Sequence, residues 1–170
     1  KFHTYTGDYY LTRLYQDDAT TWEELSVVES EVNHVSNDMT YDPVTKKVYG
    51  CFFSDDMSQS VWATFDLATA TRTIIAPLAE PMKAVAANKQ GEIYAIGNSG
   101  NLYKVDKATG NLSTIGNTGV TPYYLGSGVI DHRTGVFYWF AYPEDNTAHL
   151  YTVDLKTAAL TEVCEMANYE

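Results

Sequence analysis

Carboxylates are the commonest groups in this chain that could do chemistry. Asp55 and Asp56 stand together, Glu80 precedes Pro81, and Glu144 and Asp145 follow Pro143. Clustered carboxylates bind Ca²⁺ when several oxygens converge on one point, and a facing pair is the acid/base machinery of a glycosidase. The spacing matches no Asp-x-Asp-x-Asp loop and selects no pair, so solvated loop charge is the simpler reading. Tyr123-Tyr124 follow Thr121-Pro122 and precede Gly126. Exposed aromatics of this kind could stack on sugar rings or clamp a peptide, and the alternative is that one of them packs inward. Tyr123, Tyr124, Asp55, Asp56, Glu144 and Asp145 are therefore the candidate ligand-binding residues, and no catalytic residue, metal ligand or cofactor is assigned.

The remaining reactive side chains lack the context that chemistry needs. His3, His34, His132 and His149 form no His-x-His or His-Glu-x-x-His arrangement for zinc. The serines lie in no Gly-x-Ser-x-Gly turn. Gly97-Asn-Ser-Gly100 reads as a tight turn between strands rather than a phosphate cradle, which needs a strand–loop–helix setting. Cys51 and Cys164 stand far apart, outside any Cys-x-x-Cys pair, and read as two buried free thiols, with a disulfide as the alternative.

Composition narrows the classes further. A chain of 170 residues with 45% hydrophobic and 14% aromatic content can bury a sizeable core. The formal net charge of −11 would repel a phosphate backbone, which argues against a nucleic-acid partner. No apolar run approaches the roughly 18 residues of a membrane span. Richness in Tyr, Thr, Asn, Asp and Gly with few Lys suits an extracellular or periplasmic protein. The chain opens at Lys1 without a Met or a signal sequence, which reads as a processed or excised piece.

The elements that must carry these loops are visible as repeats. Leu102-Tyr-Lys-Val-Asp-Lys-Ala-Thr-Gly-Asn-Leu-Ser-Thr-Ile115 aligns with Leu150–Val163, with Trp62–Ile75 and, more weakly, with Leu14–Val27. In each unit an Asp (Asp18, Asp66, Asp106, Asp154) is followed three residues later by a Thr (Thr21, Thr69, Thr109, Thr157). A branched apolar residue (Val27, Ile75, Ile115, Val163) closes each unit nine after the Asp. A second unit precedes three of these: Asp42–Tyr49, Asn88–Tyr94 and Asp131–Tyr138. Each of its tyrosines opens an alternating apolar run. Period-2 alternation bounded by Asp, Asn, Gly and Thr turns predicts strands joined in hairpins. An Asp side chain can bond a main-chain N–H two residues on, and Gly supplies positive φ. Four strands make one unit, and the repeated Asp residues are 48, 40 and 48 apart, near the roughly 40–50 residues of a propeller blade.

Asp131-His-Arg-Thr-Gly-Val-Phe-Tyr138 and Leu102–Leu112 resemble the Asp-Pro-x-Thr-Gly-x-x-Tyr and Leu-Tyr-x-Val-Asp-x-x-Thr-Gly-x-Leu patterns of the β-propeller superfamily. The nearest resemblance is to secreted bacterial YVTN/quinoprotein-like repeat propellers. Lys46 and Trp22 stand where the pattern has Gly. The resemblance implies an all-β fold, a β-propeller of four-stranded antiparallel blades around a channel, and no particular chemistry. A quinone-cofactor set cannot be placed on these residues.

In this frame the chain holds about 3.75 blades, over residues 1–30 (lacking the first strand), 38–76, 84–116 and 127–164, as one partial propeller domain. The remainder of a ring would come from further blades or from a second copy of the chain. The hairpins between first and second strands and the turns between third and fourth are nearly constant in length. The connections between second and third strands, and from one blade to the next, vary. Variable loops on a rigid scaffold are where binding concentrates. The expected function is a non-catalytic extracellular or periplasmic binding module for a protein or glycan, acting through the variable-loop face. The alternatives are a carbohydrate-active propeller enzyme and a structural or adhesive surface domain.

Overall fold

A computed structural model of the chain describes residues 2–3, 8–15, 18–28, 36–53, 59–69, 71–123, 126–143 and 147–166, the first three strands by their backbone. All the regular structure among them is β. The first sheet holds β1 (Phe2–His3), β2 (Asp8–Tyr15) and β3 (Asp18–Val28). The second holds β4 (Ser36–Asp42), β5 (Lys47–Phe53), β6 (Ser60–Asp66) and β7 (Thr71–Pro77). The third holds β8 (Met82–Ala87), β9 (Ile93–Gly97), β10 (Asn101–Val105) and β11 (Leu112–Asn117). The fourth holds β12 (Ser127–Ile130), β13 (Phe137–Ala141), β14 (Ala148–Val153) and β15 (Leu160–Met166). Every sheet is an antiparallel meander in sequence order.

The repeated Asp residues act as the sequence chemistry requires. Asp66, Asp106 and Asp154 each accept, through Oδ1, the main-chain N–H groups two and three residues on, at 2.7–3.2 Å. The turn closes with Gly110 N–H on the Asp106 carbonyl and Ala158 N–H on that of Asp154. Asp42 and Asp131 do the same in the other hairpin, bonding Val44 N–H and Arg133 N–H at 2.9 and 2.8 Å and the hydroxyls of Thr45 and Thr134. Short local hydrogen bonds of this kind fix hairpin length, and hence register.

One irregularity recurs in all four sheets. The last two strands slip register by one residue, between Trp62 and Ala63, Leu102 and Tyr103, and Leu150 and Tyr151. The extra residue left on the outer strand is Ile75, Ile115 or Val163, the branched residue nine after each Asp. A bulge bends its strand and re-aims the extra side chain. The first sheet departs from this spacing: its slip at Leu11/Thr12 leaves out Leu25, two residues before Val27.

Sheets two, three and four stack face to face. Tyr49, Cys51, Trp62 and Ile75 of the second pack against Val85, Ile93, Ala95 and Tyr103 of the third. Ala86, Ile96, Leu102 and Ile115 of the third pack against Ile130, Phe137, Trp139 and Val153 of the fourth. Trp62 and Trp139 are fully buried, and Tyr49 stacks on Trp62 at 6.0 Å between ring centroids. At about 1.5–3 kcal/mol for each large apolar side chain removed from water, these two interfaces hold the array together. Both cysteines are free thiols. Cys51 is buried as expected, whereas Cys164 is exposed, because it lies on the face of the fourth sheet turned away from the third.

Candidate functional site

Hydrogen bonds sort the connections onto two ends of the array. At one end the loop between sheets two and three meets the loops inside each: Leu78 N–H reaches Ser60 O at 2.8 Å and Asn98 N–H reaches Pro81 O at 2.9 Å. Tyr123 N–H reaches Tyr142 O at 2.8 Å, and Pro122 bridges Pro143. The connections of variable length thus share one face. At the opposite end lie the constant turns, where Lys107 Nζ bonds Asp42 Oδ2 at 2.5 Å and Gly91 O at 2.9 Å.

On the variable face Tyr123 is 55% exposed while the adjacent Pro122 is buried. The proline anchors the loop and the tyrosine is presented to solvent. Tyr124, Asp55, Asp56, Glu144 and Asp145 lie outside the described residues. Glu80, in the connection between β7 and β8 on this face, holds the face together rather than offering a free charge. Its carboxylate accepts Ser99 N–H at 2.7 Å and the Ser99 hydroxyl at 2.8 Å, and it also accepts the Tyr103 hydroxyl. The approach is so close that a Cβ on Gly97 would stand 2.5 Å from the Glu80 carboxyl carbon.

The sequence does not single out Asp38, the most perturbed carboxylate near the centre of the array. It sits on β4, the innermost strand of its sheet, beside the bulge residue Asn37. Its Oδ2 accepts Val85 N–H from β8 at 2.7 Å and Gly128 N–H from β12 at 3.0 Å, and Oδ1 accepts the Ser127 hydroxyl at 3.2 Å. One carboxylate joins the inner strands of three sheets. Burial raises its pKa from 3.8 to about 6, and the hydrogen bonds to the charged form only partly oppose this. Thr40 adds a second tie to the third sheet, accepting Ala87 N–H at 2.9 Å. Lys83, the extra residue at the bulge between Met82 and Ala84, is held below the usual lysine range by burial. No three His, Cys, Asp or Glu side chains among the described residues are grouped to hold a metal ion. No helix among them is long and apolar enough to cross a membrane.

No protein-family model and no curated protein matches this chain. Solved structures do. A chain of the nidogen/laminin complex superposes with a TM-score of 0.64 at 16% identity, over 92% of this chain and 58% of its own length. TolB from Acinetobacter baumannii follows at 0.54 and 12%, over 86% and 35%. Hydrazine synthase of Kuenenia stuttgartiensis gives 0.51 and 14%, over 79% and 36%. The chain therefore spans less than two thirds of each of these neighbours. Three stacked four-stranded meanders with their first strands innermost, matched over most of the chain by propeller structures, give this protein a partial β-propeller fold.

Proposed function

We propose that this protein is a non-catalytic binding module of the cell exterior or periplasm that takes a protein or glycan ligand on its variable-loop face. The observation that carries the reading is the presentation of Tyr123. It stands 55% exposed on a loop pinned by buried Pro122 and by hydrogen bonding to Tyr142. A rigidly held exposed aromatic gives contact area at little cost in conformational entropy. The likeness to a propeller solved in a nidogen/laminin complex supports a protein ligand. Richness in Tyr, Thr, Asn, Asp and Gly with few Lys supports the location outside the cytoplasm. Asp55, Asp56, Glu144 and Asp145 would supply the polar surround on the neighbouring loops.

Glycan and peptide arrays probed with the chain test this reading. A ligand found there is expected to lose at least about tenfold in affinity on Tyr123→Ala, the scale of a central aromatic anchor. Binding that survives Tyr123→Ala and Tyr124→Ala together, with the fold intact by circular dichroism, sinks the choice of face.

A further inference from the structure

The junctions between sheets two and three and between sheets three and four carry the same turn positions but fill them differently. Between the second and third sheets, Lys107 stands one residue after the repeated Asp106. It reaches Asp42 Oδ2 at 2.5 Å and Gly91 O at 2.9 Å. A Cβ on Gly91 would stand 2.5 Å from the Asp42 carboxylate and 3.0 Å from the Lys107 ammonium, so that corner is full. Between the third and fourth sheets the matching positions are Asn88, Leu155 and Gly135. An amide and a shorter, uncharged side chain replace the ion pair, and a Cβ on Gly135 would meet nothing within 4 Å. A cavity of about 270 Å³ lies here, lined by all three residues.

The cavity has an apolar floor and a cationic rim. Ile130, which is buried, and Leu155 supply the floor, and Lys89 and Arg133 the rim. The His132 ring walls it, donating from Nε2 to Ala87 O across the junction at 2.9 Å. Lys89 has no ion pair among the described residues. Arg133 lies 3.6 Å from Asp131 Oδ2 with its side chain 85% exposed, a geometry worth little in water. Glu92, bonded by Asn88 Nδ2 at 2.8 Å, is already paired with Lys104 at 2.7 Å. An anion entering this corner therefore meets two cations that no strong partner holds. In a chain of net charge −11 the overall field opposes its approach, so a ligand must gain from burying apolar surface as well. We propose that this cavity binds a small organic acid, its carboxylate at Lys89 and Arg133 and its apolar body against Ile130 and Leu155. The site lies at the constant-turn end, and it stands whether or not the variable-loop face binds a ligand.

Benzoate is the probe, with benzamide as its neutral counterpart and inorganic phosphate as an anion without an apolar body. Main-chain amide shifts of Thr134 and Gly135 in proton–nitrogen correlation spectra of the full chain at low salt follow binding. Benzoate is expected to saturate them with a dissociation constant of about 1 mM, in keeping with its few atoms. Benzamide and phosphate are expected to bind at least about tenfold more weakly, each lacking one half of the recognition. Lys89→Ala with Arg133→Ala, at two exposed positions, is expected to abolish the preference for benzoate over benzamide. Asn88→Asp with Leu155→Lys rebuilds the ion pair of the other junction inside the cavity and is expected to remove benzoate binding. Saturable shifts that spare Thr134 and Gly135 overturn the proposal, as does benzamide binding as tightly as benzoate. Benzoate binding unchanged in the Lys89→Ala, Arg133→Ala variant overturns it even if the rebuilt ion pair prevents folding. Phosphate binding as tightly as benzoate also overturns it, because the corner would then attract any small anion.

Discussion

The carboxylate of Asp38 accepts the main-chain N–H of Gly128 at 3.0 Å although the two residues belong to the second and fourth sheets. With Val85 N–H at 2.7 Å on the same oxygen, it ties three inner strands at the centre of the array. Burial lifts its pKa to about 6 from 3.8, so between those values the folded state holds the proton more tightly than the unfolded chain. Stability from this group is therefore fully present below about pH 4 and lost as pH rises through 6, amounting to about 3 kcal/mol at most. Asp38→Asn removes the titration. The stability difference between wild type and variant, from urea unfolding, is expected to shift in favour of the variant by that order between pH 4 and pH 7. Parallel pH profiles would show that Asp38 does not titrate in this window.

Asp42 behaves in the opposite sense. Burial alone would raise its pKa, but Lys107, the Thr45 hydroxyl and Val44 N–H outweigh it and hold the carboxyl below the usual range. Its side chain is fully buried while that of Lys107 is partly exposed, and this tie joins the constant turns of the second and third sheets. Lys107→Met leaves the carboxylate without its counter-charge and is expected to cost about 2 kcal/mol near neutral pH, discounted from the fully buried case. The contribution exists above the unfolded pKa of Asp42 and is lost as pH falls through the folded one, so the deficit should shrink below about pH 4. Thermal melts at pH 7 and pH 3 separate this from a loss of packing, which would persist in acid.

Gly97 and Glu80 are coupled by space. A methyl group at Gly97 would have to displace the Glu80 carboxylate from Ser99 and Tyr103. Gly97→Ala is expected to cost about 1–2 kcal/mol, and Glu80→Ala a similar amount. The double variant should cost little more than either single one, because both break the same set of hydrogen bonds. Strict additivity in denaturant unfolding would mean that the two residues act separately.

What was legible in the sequence was local. The Asp-x-x-Thr turns bond within three residues, so spacing alone revealed them, and their recurrence revealed the four-stranded unit. Ile75, Ile115 and Val163 stood out at nine after each Asp, but not that each is the extra residue of a bulge, which depends on the register of two strands. Glu80 read as a loop charge because its partners lie 19 and 23 residues away. Asp38 carries no local signal because its partners lie 47 and 90 residues off. Period-2 alternation also leaves open which side of a sheet is covered. Cys164 was therefore expected to be buried, and the structure exposes it.

Lys46 gives a test of that local code. It has φ +56° at the turn position where Gly135, in the matching hairpin of the fourth sheet, has φ +76°. A side chain in this region costs about 1–2 kcal/mol relative to Gly, and Lys46 is exposed. Replacing it by Gly also frees the unfolded chain, which offsets part of the gain. Lys46→Gly is expected to stabilise the protein by about 0.5–1 kcal/mol. Gly135→Lys, at a turn where nothing lies within 4 Å of an added Cβ, should lose a similar amount through backbone strain alone. Ala158 has φ +64° at the same position of the other turn, but its methyl is fully buried against the third and fourth sheets. Ala158→Gly should accordingly gain less than Lys46→Gly or lose stability, since strain is relieved only as packing is removed. Chemical denaturation of the three variants checks the order, and equal gains at Lys46 and Ala158 would show that the methyl contributes nothing to the interface.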